Sequence, residues 1–182
     1  IAKYDNPEEL SVSDRNNIGY QYTDCPLYWI SVIYLNFAEA KAEMGSLTQD
    51  DLNNSINKLQ ARAGLPAMTT TPDADPANNM GVSNLIWEIR RCRRCELIMD
   101  NWYRYWDLIR WHQLDKLDST KYPNTMLGAN VSNVPDCEEA TKNGYIDASD
   151  AQIRTYEAKH YFYPIPTTQL TLNKNMKQNP GW

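Results

Sequence analysis

From Tyr28 to Met44, apolar residues recur at three- and four-residue steps: Ile30, Ile33, Tyr34, Phe37, Ala38 and Ala42. That spacing predicts a helix with these side chains on one face. Gly45 follows as a left-handed cap. Thr48-Gln49-Asp50-Asp51 then has the form of a capping box, with Asp in place of the usual Glu. Leu52, Ile56, Leu59 and Ala63 continue at helical spacing, and Gly64 and Pro66 stop the run. Two helices joined by so short a turn form an antiparallel hairpin, each burying its apolar face against the other.

Residues 65–82, rich in Thr, Pro, Asp and Asn, read as a loop. Ser83 is the expected N-cap of a third helix carrying Leu85, Ile86, Ile89 and Leu97, and ending near Met99. A fourth helix is predicted from near Tyr103 to about Leu117, with Trp106, Leu108, Ile109, Trp111 and Leu114. Residues 27–117 are therefore expected to form two helical hairpins, in a mostly all-α fold of stacked, tetratricopeptide-like pairs with long irregular loops. The usual consensus residues of that repeat are not evident. Residues 1–26 carry Asn6-Pro7, Asn16-Asn17 and Cys25-Pro26 and are expected to be irregular. Residues 118–158, broken by Tyr122-Pro123, Val134-Pro135 and Asn143-Gly144, read as a long loop. In 159–182, Tyr161-Phe162-Tyr163-Pro164-Ile165-Pro166 predicts an extended tail, because each proline disfavours the α region for its predecessor.

Composition adds two constraints. The chain has 12 Tyr and 6 Trp against 2 Phe, rings with a polar handle on an apolar body. They suit either a half-wet helical core or a carbohydrate-like surface. The formal charge of −5 gives no overall field for nucleic acid or anionic lipid. The cluster Arg90, Arg91, Arg93, Arg94 has the charge to grip phosphate. Its flanking Glu88, Glu96, Asp100 and Asp107 instead predict an ion-paired helix stretch.

No segment approaches the roughly 18 consecutive apolar residues of a transmembrane helix. The start, Ile1-Ala2-Lys3-Tyr4, is neither basic nor followed by an apolar run. It reads as the middle of something longer, with an N-terminal portion expected to be missing. Cys92 and Cys95 have the spacing of a redox pair but lie inside a predicted helix, so packed or incidental thiols are expected there. His112 and His160 show no ligand spacing to Cys25, Cys92, Cys95 or Cys137, so neither a metal nor a cofactor is expected.

Four segments, in order, resemble the C-terminal region of the SusD/RagB family. They are Phe37-Ala38-Glu39-Ala40; Ile56-Asn57-Lys58-Leu59-Gln60-Ala61-Arg62-Ala63-Gly64-Leu65-Pro66; Arg90-Arg91-Cys92-Arg93-Arg94-Cys95-Glu96-Leu97 leading into Arg104-Tyr105-Trp106-Asp107-Leu108-Ile109-Arg110-Trp111; and Tyr161-Phe162-Tyr163-Pro164-Ile165-Pro166 with the terminal Gln178-Asn179-Pro180-Gly181-Trp182. Together they span about residues 27–182. Cys92 replaces the Glu of the Arg-rich motif, and Trp29 and Val32 stand where an Arg and a Glu are expected. The loss of one Arg and two Glu together keeps local charge nearly balanced, as buried charges require.

The resemblance implies the C-terminal part of a non-catalytic, surface-exposed lipoprotein at the extracellular face of the cell outer membrane. It would capture oligosaccharide, or in some relatives peptide, for import through a SusC-like TonB-dependent transporter. Its link to the membrane would be an N-terminal lipid anchor absent from this chain. Ligand contacts would lie mostly upstream. Within this chain Tyr20, Tyr22 and Tyr122 are the candidates, each also readable as a loop anchor. The motifs themselves read as a structural ion network of Glu39, Arg62, Arg93, Arg94, Glu96, Arg104 and Asp107. Glu39 is expected to pair with Arg93 or Arg94, and Glu96 or Asp107 with Arg62 or Arg104. Two other functions compete: a helical-repeat scaffold that binds only protein, and a carbohydrate-processing enzyme. The enzyme needs two carboxylates across a cleft, and no segment shows that pair in recognisable form. There is no G-x-S-x-G elbow or phosphate loop either.

Overall fold

A computed structural model describes residues 11, 13, 27–100, 103–134, 141–147 and 152–182. The chain forms two compact units, Ile1–Leu97 and Ile98–Trp182. The fold is mostly helical, as the periodicity predicts. Among the described residues no helix is long and apolar enough to cross a membrane.

In the first unit, α1 (Ile30–Glu43) ends where expected. Gly45, at φ +66°, donates to Ala42 O, and Ser46 N reaches back to Lys41 O at 2.9 Å. This is a Schellman end, which favours glycine because the left-handed residue then meets no Cβ penalty. Thr48 and Asp51 exchange side-chain and backbone bonds at 3.1 and 2.9 Å, completing the anticipated capping box. The helix that follows is not continuous. It divides into α2 (Gln49–Asn53) and α3 (Ile56–Arg62) at Asn54 and Ser55. There Asn54 Nδ2 donates to Asp50 O and Ser55 Oγ to Asp51 O at 2.6 Å, side-chain bonds that compete with the helical ladder. Ser83 caps α4 (Asn84–Glu96) by accepting from Ile86 N.

The core of this unit is Leu35, Ala38, Leu52, Ile56, Leu59, Met68, Ile89 and Leu97. α1 packs on both α4 and α3. Its buried face differs from the one predicted. Ser31, Leu35, Ala38 and Glu39 point inward, whereas Ile30, Ile33 and Phe37 are 62%, 60% and 42% exposed.

In the second unit, α5 (Tyr103–Arg110) is shorter than expected. His112 takes a left-handed φ of +54°, and Gln113 N bonds back to Leu108 O, so the chain turns into a separate 3-10 helix, Leu114–Leu117. The core here is Leu108, Trp111 and Leu114.

Within 118–158, expected as a loop, lies a small antiparallel sheet of β1 (Leu127–Asn130), β2 (Thr141–Lys142) and β3 (Tyr145–Asp147), in the order β1-β3-β2. Asn143 and Gly144, both at positive φ, connect β2 to β3 in the two-residue geometry that an Asn-Gly pair favours. A Cβ at 144 would also press on the Ser132 hydroxyl, which would have to turn aside.

Asp118 anchors the start of this region. Nearly inaccessible, it accepts from Thr120 N, Thr120 Oγ1 and Lys121 N through one oxygen and from Tyr156 N through the other, at 2.5 to 3.3 Å. These bonds, led by the Thr120 hydroxyl, hold its carboxyl at about 2, below the ordinary 3.8. A depressed folded-state value contributes stability that is present above the unfolded value and lost as pH falls from near 4 toward 2. Thermal melts across that window should therefore drop more steeply for the native protein than for Asp118→Asn. Parallel curves would deny Asp118 this role.

Candidate functional site

The Arg-rich motif lies on α4 with alternate fates for its cations. Arg90 and Arg93 face inward, whereas Arg91 and Arg94 are exposed. Arg90 meets Glu39, Nε to Oε1 at 3.2 Å, with the two side chains 10% and 4% exposed. Sequence reading expects Arg93 or Arg94 beside Glu39 and does not name Arg90. Arg90 shares the buried face with Ile89, Arg93 and Leu97, so it points at α1, while Arg94 turns to solvent. Arg90 also reaches Glu43 at 3.3 Å, and Arg93 Nη1 donates to Asn36 at 2.8 Å. Ala38, fully buried beside Glu39, leaves the space for this approach, whereas Ala40 is on the exposed face.

Arg62 and Glu96 are brought together as anticipated, with a bond of 2.6 Å that joins α3 to the end of α4. Arg62 is largely exposed, so this pair contributes little. Asp107 is buried and bonds the guanidinium of Arg110, three residues on, at 2.9 Å. Arg104 and Arg110 both lie against the Trp111 ring, 5.8 and 4.7 Å from its centre. Motif spacing did not single out Arg90 or Arg110. Arg90 was legible from the i, i+3, i+7 relation of Arg90, Arg93 and Leu97.

Of the aromatic candidates, Tyr20 and Tyr22 lie outside the described residues. Tyr122 is half-buried, and Lys116 covers its ring at 4.4 Å and donates to its hydroxyl at 2.8 Å. Both its face and its polar end are thus engaged within the fold. Burial pushes the Cys92 thiol up to about 12, which suits a packed thiol and not a nucleophile. Among the described residues no group of three His, Cys, Asp or Glu side chains is placed to hold a metal.

The tail is bonded within its own unit. Gln178 gives Nε2 to Ile165 O at 2.9 Å and accepts Ile165 N at 2.7 Å. Asn179 Nδ2 donates to Tyr163 O at 2.6 Å, and Trp182 Nε1 donates to Phe162 O at 2.9 Å. Tyr161 Oη accepts Leu114 N at 3.2 Å, tying the segment to the 3-10 helix after α5. The terminal Gln-Asn-Pro-Gly-Trp run thereby supplies the partners that the proline-flanked segment cannot find in a sheet. Gln178→Ala is expected to cost about 1–3 kcal/mol. It should also speed hydrogen exchange at the Ile165 amide, read by mass spectrometry; unchanged exchange there would remove the clamp.

The profile of the SusD family matches residues 3–182. The crystal structure of a SusD-like protein from Bacteroides fragilis superposes with a TM-score of 0.58 at 26% identity, covering 84% of this chain and 25% of that one. The chain thus spans about a quarter of that protein's length. No curated protein matches it.

Proposed function

This chain belongs to the SusD family, and on that premise we propose that it is the C-terminal part of a non-catalytic protein that captures oligosaccharide at the extracellular face of the outer membrane. The captured glycan passes to a SusC-like TonB-dependent transporter, and an N-terminal lipid holds the protein at the membrane. The observation that carries this reading is a family match running over nearly the whole chain, 3–182. The local chemistry supports it: the carboxylates of the family motifs, Glu39, Glu96 and Asp107, are each tied to an arginine and so are committed to structure. They do not form the opposed pair that glycoside hydrolysis needs.

The experiment is isothermal titration of the full-length protein against a panel of plant and host oligosaccharides, with chromatography of the mixtures afterwards. Saturable binding with no shortened products is the expected result. Release of sugar would favour an enzyme, and failure to bind any glycan would favour a protein-only scaffold.

A further inference from the structure

Near the C-terminus, one histidine is held in a single proton state. His160 caps the 3-10 helix Ala158–Tyr161 at its start: its Nδ1 accepts the Glu157 N–H at 3.0 Å, while the Glu157 side chain accepts the His160 N–H. An imidazole nitrogen that accepts a hydrogen bond carries no proton, so the ring is neutral with its hydrogen on Nε2. A second proton would turn Nδ1 from acceptor to donor and set it against the Glu157 N–H. The bond is then lost, and the ring has to rotate away.

That rotation reaches beyond the cap. The His160 ring packs at a steep angle against both Tyr156 and Trp182, with ring centres 6.2 and 5.9 Å away. Trp182 is fastened to the same 3-10 turn. Its Nε1 donates to the carbonyls of Lys159 and Phe162 at 3.2 and 2.9 Å, and Lys159 Nζ stands 5.1 Å from its ring centre. The last residue of the terminal run therefore rests on the turn that His160 caps.

Among the described residues, the titratable groups facing the ring are Lys159, Glu157 and Tyr156. The Lys159 cation opposes a second positive charge beside it. The Glu157 carboxylate attracts one, but it already holds Lys159 at 3.2 Å and the His160 amide. An imidazolium drawn toward that carboxylate leaves the Glu157 amide just as uncapped, so either movement opens the same bond. Tyr156, pushed up to about 12 by burial and by the Tyr161 hydroxyl, keeps its proton and adds no charge.

We propose that His160 is a pH-sensitive latch: neutral, it fastens the terminal Trp182 to the 3-10 turn, and mild acid releases it. Imidazole is the side chain whose charge ordinarily changes between about pH 5 and 8. The latched form binds one proton fewer than the released form, so acid favours release.

The test is hydrogen exchange of the full-length protein at about pH 7.5 and about pH 5.5, with the intrinsic pH dependence of exchange divided out. The Glu157 amide and the Trp182 indole N–H should lose about fivefold in protection at the lower pH, the size of one lost hydrogen bond. In His160→Asn the side-chain oxygen accepts the same N–H at any pH, so protection should be equal at the two values. Unchanged protection in the native protein, or an equally steep fall in His160→Asn, would overturn the latch. Nitrogen-15 shifts of the imidazole give a second reading that needs no variant. The Nε2–H tautomer is expected at neutral pH, and the Nδ1–H tautomer would overturn the proposal as well.

Discussion

Glu39→Ala is expected to lower the unfolding free energy by about 3–5 kcal/mol, measured by chemical denaturation. Glu39 and Arg90 are both buried, and their contact at 3.2 Å joins α1 to α4, the two most extensively packed helices of the first unit. Two charges out of water are tolerated when they answer each other. Removing the carboxylate leaves the guanidinium without its buried partner. Glu43 stays within reach and trims the loss, but its side chain is 53% exposed and solvent weakens that attraction, so the compensation is partial. The double replacement Glu39→Leu, Arg90→Met should lose less than the sum of the single changes, because it strands no charge. A loss below about 1 kcal/mol for Glu39→Ala would show that the pair carries no structural burden.

The second large effect separates two descriptions of α1. Leu35→Ala should cost about 2–5 kcal/mol, because Leu35 is wholly enclosed and its truncation leaves a cavity. Ile33→Ala, two residues earlier and 60% exposed, should cost less than about 1 kcal/mol. The apolar spacing alone predicts the reverse order, since it places Ile33 on the inner face and omits Leu35. Denaturation of the two variants side by side decides the matter.

That inversion shows where sequence reading works and where it fails. Helix ends were legible because they depend on local chemistry: Gly45 and Gly64 at left-handed φ, the Thr48–Asp51 box and the Ser83 cap all stand where their residue types demand. The inner face of α1 was not legible. Ile30, Ile33, Tyr34, Leu35 and Phe37 make the helix apolar on several sides, so periodicity cannot choose among them. The choice is made by Glu39 and Ala38, an acidic residue and a small one that turn inward to meet Arg90 on a distant helix. The break at Asn54 and Ser55 was hidden because it depends on side chains bonding to the preceding turn, not on any strong breaker. The small sheet escaped for another reason: strands of two to four residues are too short to show alternation. Only its Asn143-Gly144 turn left a mark.

The proline-flanked segment near the C-terminus has one more effect. Extended backbone with open amides and carbonyls invites a foreign strand to zip alongside it, which is how crowded proteins knit into aggregates. Here Pro164 and Pro166 have no N–H to offer, Ile165 spends both its groups on Gln178, and the carbonyls of Phe162 and Tyr163 are taken by Trp182 and Asn179. A neighbouring copy would find almost nothing to hold, so the molecule can be densely packed without growing fibres from this edge.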